Sequence, residues 1–176
     1  SSSSGGRSED LRRAYELLAR VERDRFGDLE TASVVLSRAR RLWPRSWRLH
    51  FEAGVLLRRR AAESTAVADA THCLLEARAA LARALDNPAP PSPQQRSRVL
   101  TTAALVEADL GNRAEAEALF DACVAAHPAH GAAYAARGDC ALKKWRDPDA
   151  ARRAFRAGLE ALRAEPKAFD RYAPGA

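Results

Sequence analysis

Three cysteines and four histidines are the residues of this 176-residue chain best suited to act as nucleophiles, bases or metal ligands. His127 and His130, in the run His127-Pro128-Ala129-His130, would need two further ligands to hold zinc. Nearby Cys123 falls on a packing face, and no CxxC spacing is present, so the pair is read as a polar turn. Cys73, Cys123 and Cys140 occupy small or apolar helical positions, which points to core packing rather than redox chemistry. His50 and His72 stand alone. The sequence has no GxGxxG, GxxxxGK[ST], HExxH or GxSxG motif. Its carboxylates are scattered among arginines, the pattern of solvated helices with i,i+4 pairs, and no nucleophile–base or carboxylate pair stands out. The expectation is a protein with no catalytic residue, no metal and no cofactor.

The other chemistry on offer is electrostatic. The chain has 29 basic against 23 acidic residues, a formal charge of +6, and only three of the basic residues are lysine (Lys143, Lys144, Lys167). Arg38, Arg40, Arg41, Arg45 and Arg48 bracket one turn, Arg58-Arg59-Arg60 follow, and Arg12 and Arg13 precede. Such clusters suit RNA phosphate or an acidic protein. An arginine excess with so little lysine also reflects a G+C-rich genome, in which most of these side chains are simply solvated. The aromatic interleaving that stacks bases is missing. Trp43 and Trp47, flanking Pro44, pin neighbouring helices instead.

The elements that must carry these residues are helices. Forty alanines and 26 arginines dominate, isoleucine and methionine are absent, and strand formers are sparse. The 47% apolar content is globular, and no run approaches the roughly 18 apolar residues of a membrane span. Residues 1–8 (SSSSGGRS) read as a flexible segment outside the fold. Asp10 caps a helix from Leu11, which Phe26-Gly27-Asp28 breaks. A second helix covers 29–43 and ends at Pro44. A third starts near Ser46, and a polar stretch at 61–66 separates it from a fourth at 67–86. Residues 58–72 either extend these two helices or form a loop. The run Asn87-Pro88-Ala89-Pro90-Pro91-Ser92-Pro93 breaks the chain, with Ser92 as N-cap and Pro93 at N1. Helices then end at Leu110, at Ala126 and near Trp145. An eighth opens at Asp147-Pro148 and runs to Ala164, and a short one restarts at Pro166.

The two halves match. Ala32, Leu36, Ala39 and Pro44 lie 5, 9, 12 and 17 residues after Gly27, and Ala116, Phe120, Cys123 and Pro128 keep the same offsets from Gly111. Ala77, Leu81, Ala84 and Pro88 form a third copy, slightly shortened, and Ala151, Phe155 and Gly158 a fourth. With units of about 34 residues, this set resembles the tetratricopeptide repeat (TPR) and its relative, the half-a-TPR (HAT) repeat, over residues 11–165. Tyr15 with Glu22, Trp47 with Glu52, and Glu107 lean toward HAT, although Ala103 stands where a bulky partner of Glu107 belongs. Two features depart from the pattern: about 15 extra residues around 58–72, and the proline-rich 88–93.

The resemblance implies an all-α fold, a right-handed α-solenoid of antiparallel helix pairs with about 3.5–4 repeats. Its expected parts are a flexible segment 1–9, two repeats over 10–87, a linker 88–93, two repeats over 94–165 and a C-terminal cap 166–176. In TPR proteins that clamp a chaperone's C-terminal carboxylate, Lys, Asn and Arg hold set positions. Here those positions carry Phe51, Glu52, Val55, Thr101, Thr102, Leu105, Ala132 and Ala136, so no clamp is expected. The groove is small and apolar, suited to a helix or extended peptide. The candidate partner-binding set is Arg41, Arg45, Arg48, Phe51, Val55, Arg58, Arg59, Arg60, Arg98, Thr101 and Leu105. The function implied is a non-catalytic scaffold that binds other protein subunits within an RNA-processing or ribonucleoprotein complex. Direct RNA binding by an arginine-rich face and a TPR adaptor for an organellar membrane complex are the alternatives. The compartment expected is the nucleus or an organelle. No membrane insertion and no small-molecule substrate are expected. The missing methionine predicts a processed chain or part of a longer protein.

Overall fold

A computed structural model of the chain describes residues 3–86 and 92–164. All of its regular structure among these is helical. Eight helices follow in order: α1 (Ser3–Val21), α2 (Leu29–Leu42), α3 (Trp47–Glu63), α4 (Val67–Leu85), α5 (Pro93–Asp109), α6 (Arg113–Ala126), α7 (Gly131–Lys143) and α8 (Pro148–Ala164). They pack as successive pairs, α1 with α2, α3 with α4, α5 with α6 and α7 with α8. This is the all-α helical-repeat fold expected. None of the described helices is long and apolar enough to cross a membrane. The chain divides into two compact units, Ser1–Pro88 and Ala89–Ala176.

In the first unit the core is Ala19, Ala32, Leu36, Ala39, Leu49, Ala53, Leu56 and Ala80, with Tyr15 and Trp43 against it. In the second it is Ala104, Ala108, Ala116, Phe120 and Cys140, flanked by Leu119 and Trp145. The repeating alanines Ala32, Ala77 and Ala116 have no exposed surface. Gly54 of α3 faces Leu81 of α4 so closely that a Cβ there would lie 2.6 Å from Leu81 Cγ. Gly138 of α7 faces Phe155 of α8 in the same way, at 2.4 Å from its ring. The small residues therefore set how near paired helices come.

Three turns share one device. Gly27 and Gly111 take left-handed backbone, φ 68° and 86°, and Arg146 does so at φ 55°. A polar residue follows each, at the N-cap of the next helix. Asp28 accepts from Thr31 N–H at 2.9 Å and Asp147 from Ala150 N–H at 2.9 Å. These bonds hold both carboxyls below the usual aspartate range, with Arg113 adding to the effect at Asp147. Ser92 and Gln95 form a reciprocal capping box, with Pro93 at N1.

One boundary differs from expectation, and one left open is settled between its two alternatives. Helix α1 begins at Ser3, so the stretch 1–9 expected to stay outside the fold is helical from Ser3 onward. Weak local propensity is overridden there by side chains: Trp43 Nε1 donates to Ser8 Oγ at 3.1 Å, and Glu9 pairs with Arg12. The extra residues 58–72 lengthen α3 and α4 and leave only Ser64–Ala66 between them. Alanine at 61 and 62 and the Arg59–Glu63 pair at 3.0 Å carry α3 past the arginine triplet. Residues 88–91 of the expected linker and the cap 166–176 lie outside the described residues.

Two substitutions test the helix approach. Leu81 is fully enclosed whereas Phe155 is 38% exposed and can swing out. Gly54→Ala is expected to destabilise by about 1 kcal/mol, overpacking exceeding the helix-propensity gain, while Gly138→Ala stays near neutral, read by urea unfolding. Arg146→Gly relieves the left-handed backbone and is expected to raise stability by about 1 kcal/mol in the same assay.

Candidate functional site

Arginine, the commonest charged residue, appears in two structural states within the first unit. The first is a ladder of ion pairs joining α1 to α3. After Val21 the chain makes a π-helical turn, Glu22–Phe26, which turns Arg23 inward. Arg23 Nη1 donates to Glu52 Oε2 at 2.7 Å, and Arg20 Nη2 to Glu52 Oε1 at 2.7 Å. Arg23 also pairs with Asp24, and Arg59 donates to the Arg23 carbonyl at 2.6 Å. Lower in α1, Arg12 and Arg20 flank Glu16 at 3.4 Å each. Arg12, Glu16, Arg23 and Glu52 are buried. Burial depresses Arg23, but its bonds to Asp24 and Glu52 outweigh that and hold it above its ordinary value. These charges brace helices.

The second state is open. Helices α2 and α4 both flank α3, and a groove runs between them, in two adjoining hollows of about 300 and 490 Å³ that share Ser37, Arg40 and Arg83. Leu36, Leu56 and Ala80 floor it, while Arg41 and Arg60 reach its rim. Arg40 Nε is enclosed and has no hydrogen-bond partner. Burial, then the charge of Arg83, lowers the pKa of Arg40, with Glu76 opposing. His50 lines the same space. Its Nε2 donates to the Pro44 carbonyl at 2.8 Å, which leaves Nδ1 buried and unpaired. Burial is the main cause that lowers the His50 pKa.

The predicted residues fall in different settings. Arg41 and Arg60 border the groove, Arg60 also 3.8 Å from Glu30. Arg48 lies 5.5 Å over the Trp47 ring, and Arg45 is exposed. Arg59 is drawn into the ladder, and Arg58 and Val55 are half-buried. Phe51 and Thr101 are buried, so neither offers a free contact surface. Neighbouring helices cover them, which position along a helix does not reveal. In the second unit Arg98 is exposed and Leu105 packs on the core. Arg83 and His50 also line the groove and were not among the expected binding residues. The two are 33 residues apart, so no local motif joins them.

The second unit holds a polar cluster. Ser97 Oγ lies 2.5 Å from His130 Nδ1 and 2.8 Å from Cys123 Sγ, and Thr101 Oγ1 donates to the Ser97 carbonyl at 2.8 Å. Cys123 has no exposed surface, and its sulfur is 3.7 Å from the imidazole. Burial lowers the His130 pKa, and His127 and Arg98 add to it. This environment favours a neutral imidazole and an enclosed thiol, a packing arrangement rather than a nucleophile. Among the described residues no group of three or more His, Cys, Asp or Glu could hold a metal ion.

No protein-family model matches the chain, and no curated protein does. Among solved structures the chain is similar to one from the functional characterization of Pseudomonas aeruginosa pilF. Identity is 21% and the TM-score 0.42, over 88% of this chain and 78% of that one. A likeness of that size carries no argument about function, so the fold rests on the helices themselves.

The ladder and the groove predict opposite responses. Removing Glu52 strands two guanidiniums, and Glu52→Ala is expected to cost about 3 kcal/mol in chemical unfolding. Arg83→Ala, on an exposed groove wall, is expected to change stability by less than about 0.5 kcal/mol.

Proposed function

We propose that this chain is a non-catalytic helical-repeat scaffold that binds other protein subunits within a larger assembly. One observation carries the reading. Helix α8 buries Ala151, Ala154 and Gly158 against its partner but leaves Leu159 56% and Phe155 38% exposed. In a repeat fold each unit covers its apolar face with the next one. An outward face of this kind suits a helix supplied by another protein.

For the setting, an RNA-processing or ribonucleoprotein complex in the nucleus or an organelle is our reading. The HAT-like pairs Tyr15–Glu22 and Trp47–Glu52 and the basic balance support it. Direct RNA binding ranks below protein binding. Arg12, Arg20, Arg23 and Arg59 are engaged with carboxylates of their own chain. Adaptor service for an organellar membrane complex ranks third.

Native purification with nuclease treatment tests this order. A protein partner is expected to survive nuclease and about 0.3 M salt, and to be lost in Phe155→Glu/Leu159→Glu with helicity unchanged. Co-purification of RNA alone, released by salt, would overturn the scaffold reading in favour of direct RNA binding.

A further inference from the structure

The geometry points to the groove between α2 and α4 as a docking site for an acidic, amphipathic segment of a partner protein, one of whose carboxylates pairs with Arg40 and Arg83. This deepens the scaffold reading and rests on it. The site lies on the side of the second helix of each pair, away from the α1–α3 seam that the Arg–Glu ladder fills.

Three features favour this occupant. The first is charge. Arg40, Arg41, Arg60 and Arg83 surround the groove, against Glu76 as the carboxylate lining it. Two like charges, Arg40 and Arg83, share the central part of both hollows, so each would gain from an anion between them. The second is an unmet hydrogen bond. Arg40 Nε is enclosed without an acceptor, so the chain leaves part of this half-buried guanidinium unpaired and a carboxylate beside it would offset that cost. The third is the floor. Leu36, Leu56, Leu57 and Ala80 provide aliphatic surface for the apolar side of an amphipathic helix. No Phe, Tyr or Trp lines either hollow, and the His50 ring nitrogens are taken up or enclosed, so a nucleic-acid strand would find phosphate contacts but no broad stacking platform.

Fluorescence anisotropy on the full chain tests the site. The probes are a labelled amphipathic helical peptide with Glu at turn-spaced positions, the same peptide with Gln at those positions, and a 20-mer of poly(U). The Glu peptide is expected to bind at least tenfold more tightly than the Gln peptide. Arg40→Ala/Arg83→Ala is expected to weaken it at least tenfold, and Arg13→Ala/Arg96→Ala, at exposed positions that line neither hollow, to leave it unchanged. Arg83→Glu, an exposed position that cannot disturb the core, is expected to weaken the Glu peptide and favour a Lys counterpart. Equal binding of the Glu and Gln peptides, insensitivity to Arg83→Glu, or displacement of the peptide by the oligonucleotide would overturn the assignment. If the natural protein partner is retained equally by wild type and Arg40→Ala/Arg83→Ala, the scaffold reading stands and this site falls. If no protein partner is retained at all, the scaffold reading itself fails.

Discussion

Everything in this fold depends on how closely the paired helices approach. Gly54 lies under Leu81, Gly138 under Phe155 and Gly158 under Tyr134, each too near to admit a Cβ without movement. Fully enclosed Ala32, Ala77 and Ala116 extend the same contact. Backbones this close leave no room for thick hydrophobic layers. The cores are accordingly alanine-rich, with a few large side chains such as Leu36, Leu49, Leu81 and Phe120 filling the remaining space. Buried alanine removes little apolar area from water, so each pair gains modestly, and stability accrues by adding pairs.

A thin core also changes what polar residues do. With little apolar volume between α1 and α3, their seam is closed by Arg20, Arg23, Glu16 and Glu52. Arginine suits this role, since its stem covers apolar surface while its fork meets carboxylates in two directions. Arg23 lies four residues before Gly27, and buried Glu107 lies four before Gly111, where its carboxylate accepts from Asn112 Nδ2 at 2.7 Å. The position before each turn thus carries a buried charge, of opposite sign in the two units, satisfied locally in each. Ser97, Thr101, Cys123 and His130 satisfy one another by the same principle with uncharged groups.

Much of the helical plan was legible because it is punctuated by residues with fixed backbone demands. Pro44 and Pro128 stop helices, Gly27 and Gly111 supply left-handed turns, and Asp28, Ser92 and Asp147 cap the helices that follow. What the sequence hid was tertiary. Within the helical stretch from Ser3, Ser8 accepts from Trp43, 35 residues further along the chain. Arg146 takes the turn conformation of Gly27 and Gly111 without being glycine, so composition gave no sign of it. The candidate set was harder still. Phe51 and Thr101 occupy helix positions that look outward until a neighbouring helix covers them. Arg40 was visible as one member of a basic run, but nothing local separates it from Arg38, which borders neither hollow. Only the packing of three helices brings Arg83 and His50 beside it.

The departure from strict repeat length is what adds Arg60 to the rim of the groove. Had α3 ended near Leu57, as an unextended repeat helix would, Arg60 would lie in a loop and the hollow would close on aliphatic side chains. The alanines at 61 and 62 and the Arg59–Glu63 pair instead carry α3 through Glu63, while Glu76 and Arg83 line the groove from the regular part of α4. Within the groove the chain supplies no acceptor to the enclosed Arg40 Nε. Elsewhere in the same unit the chain supplies such partners, Glu52 for Arg23 and Glu16 for Arg12. Arg40 Nε, enclosed without an acceptor in a unit that pairs its buried Arg12 and Arg23, is therefore the feature that packing alone does not explain.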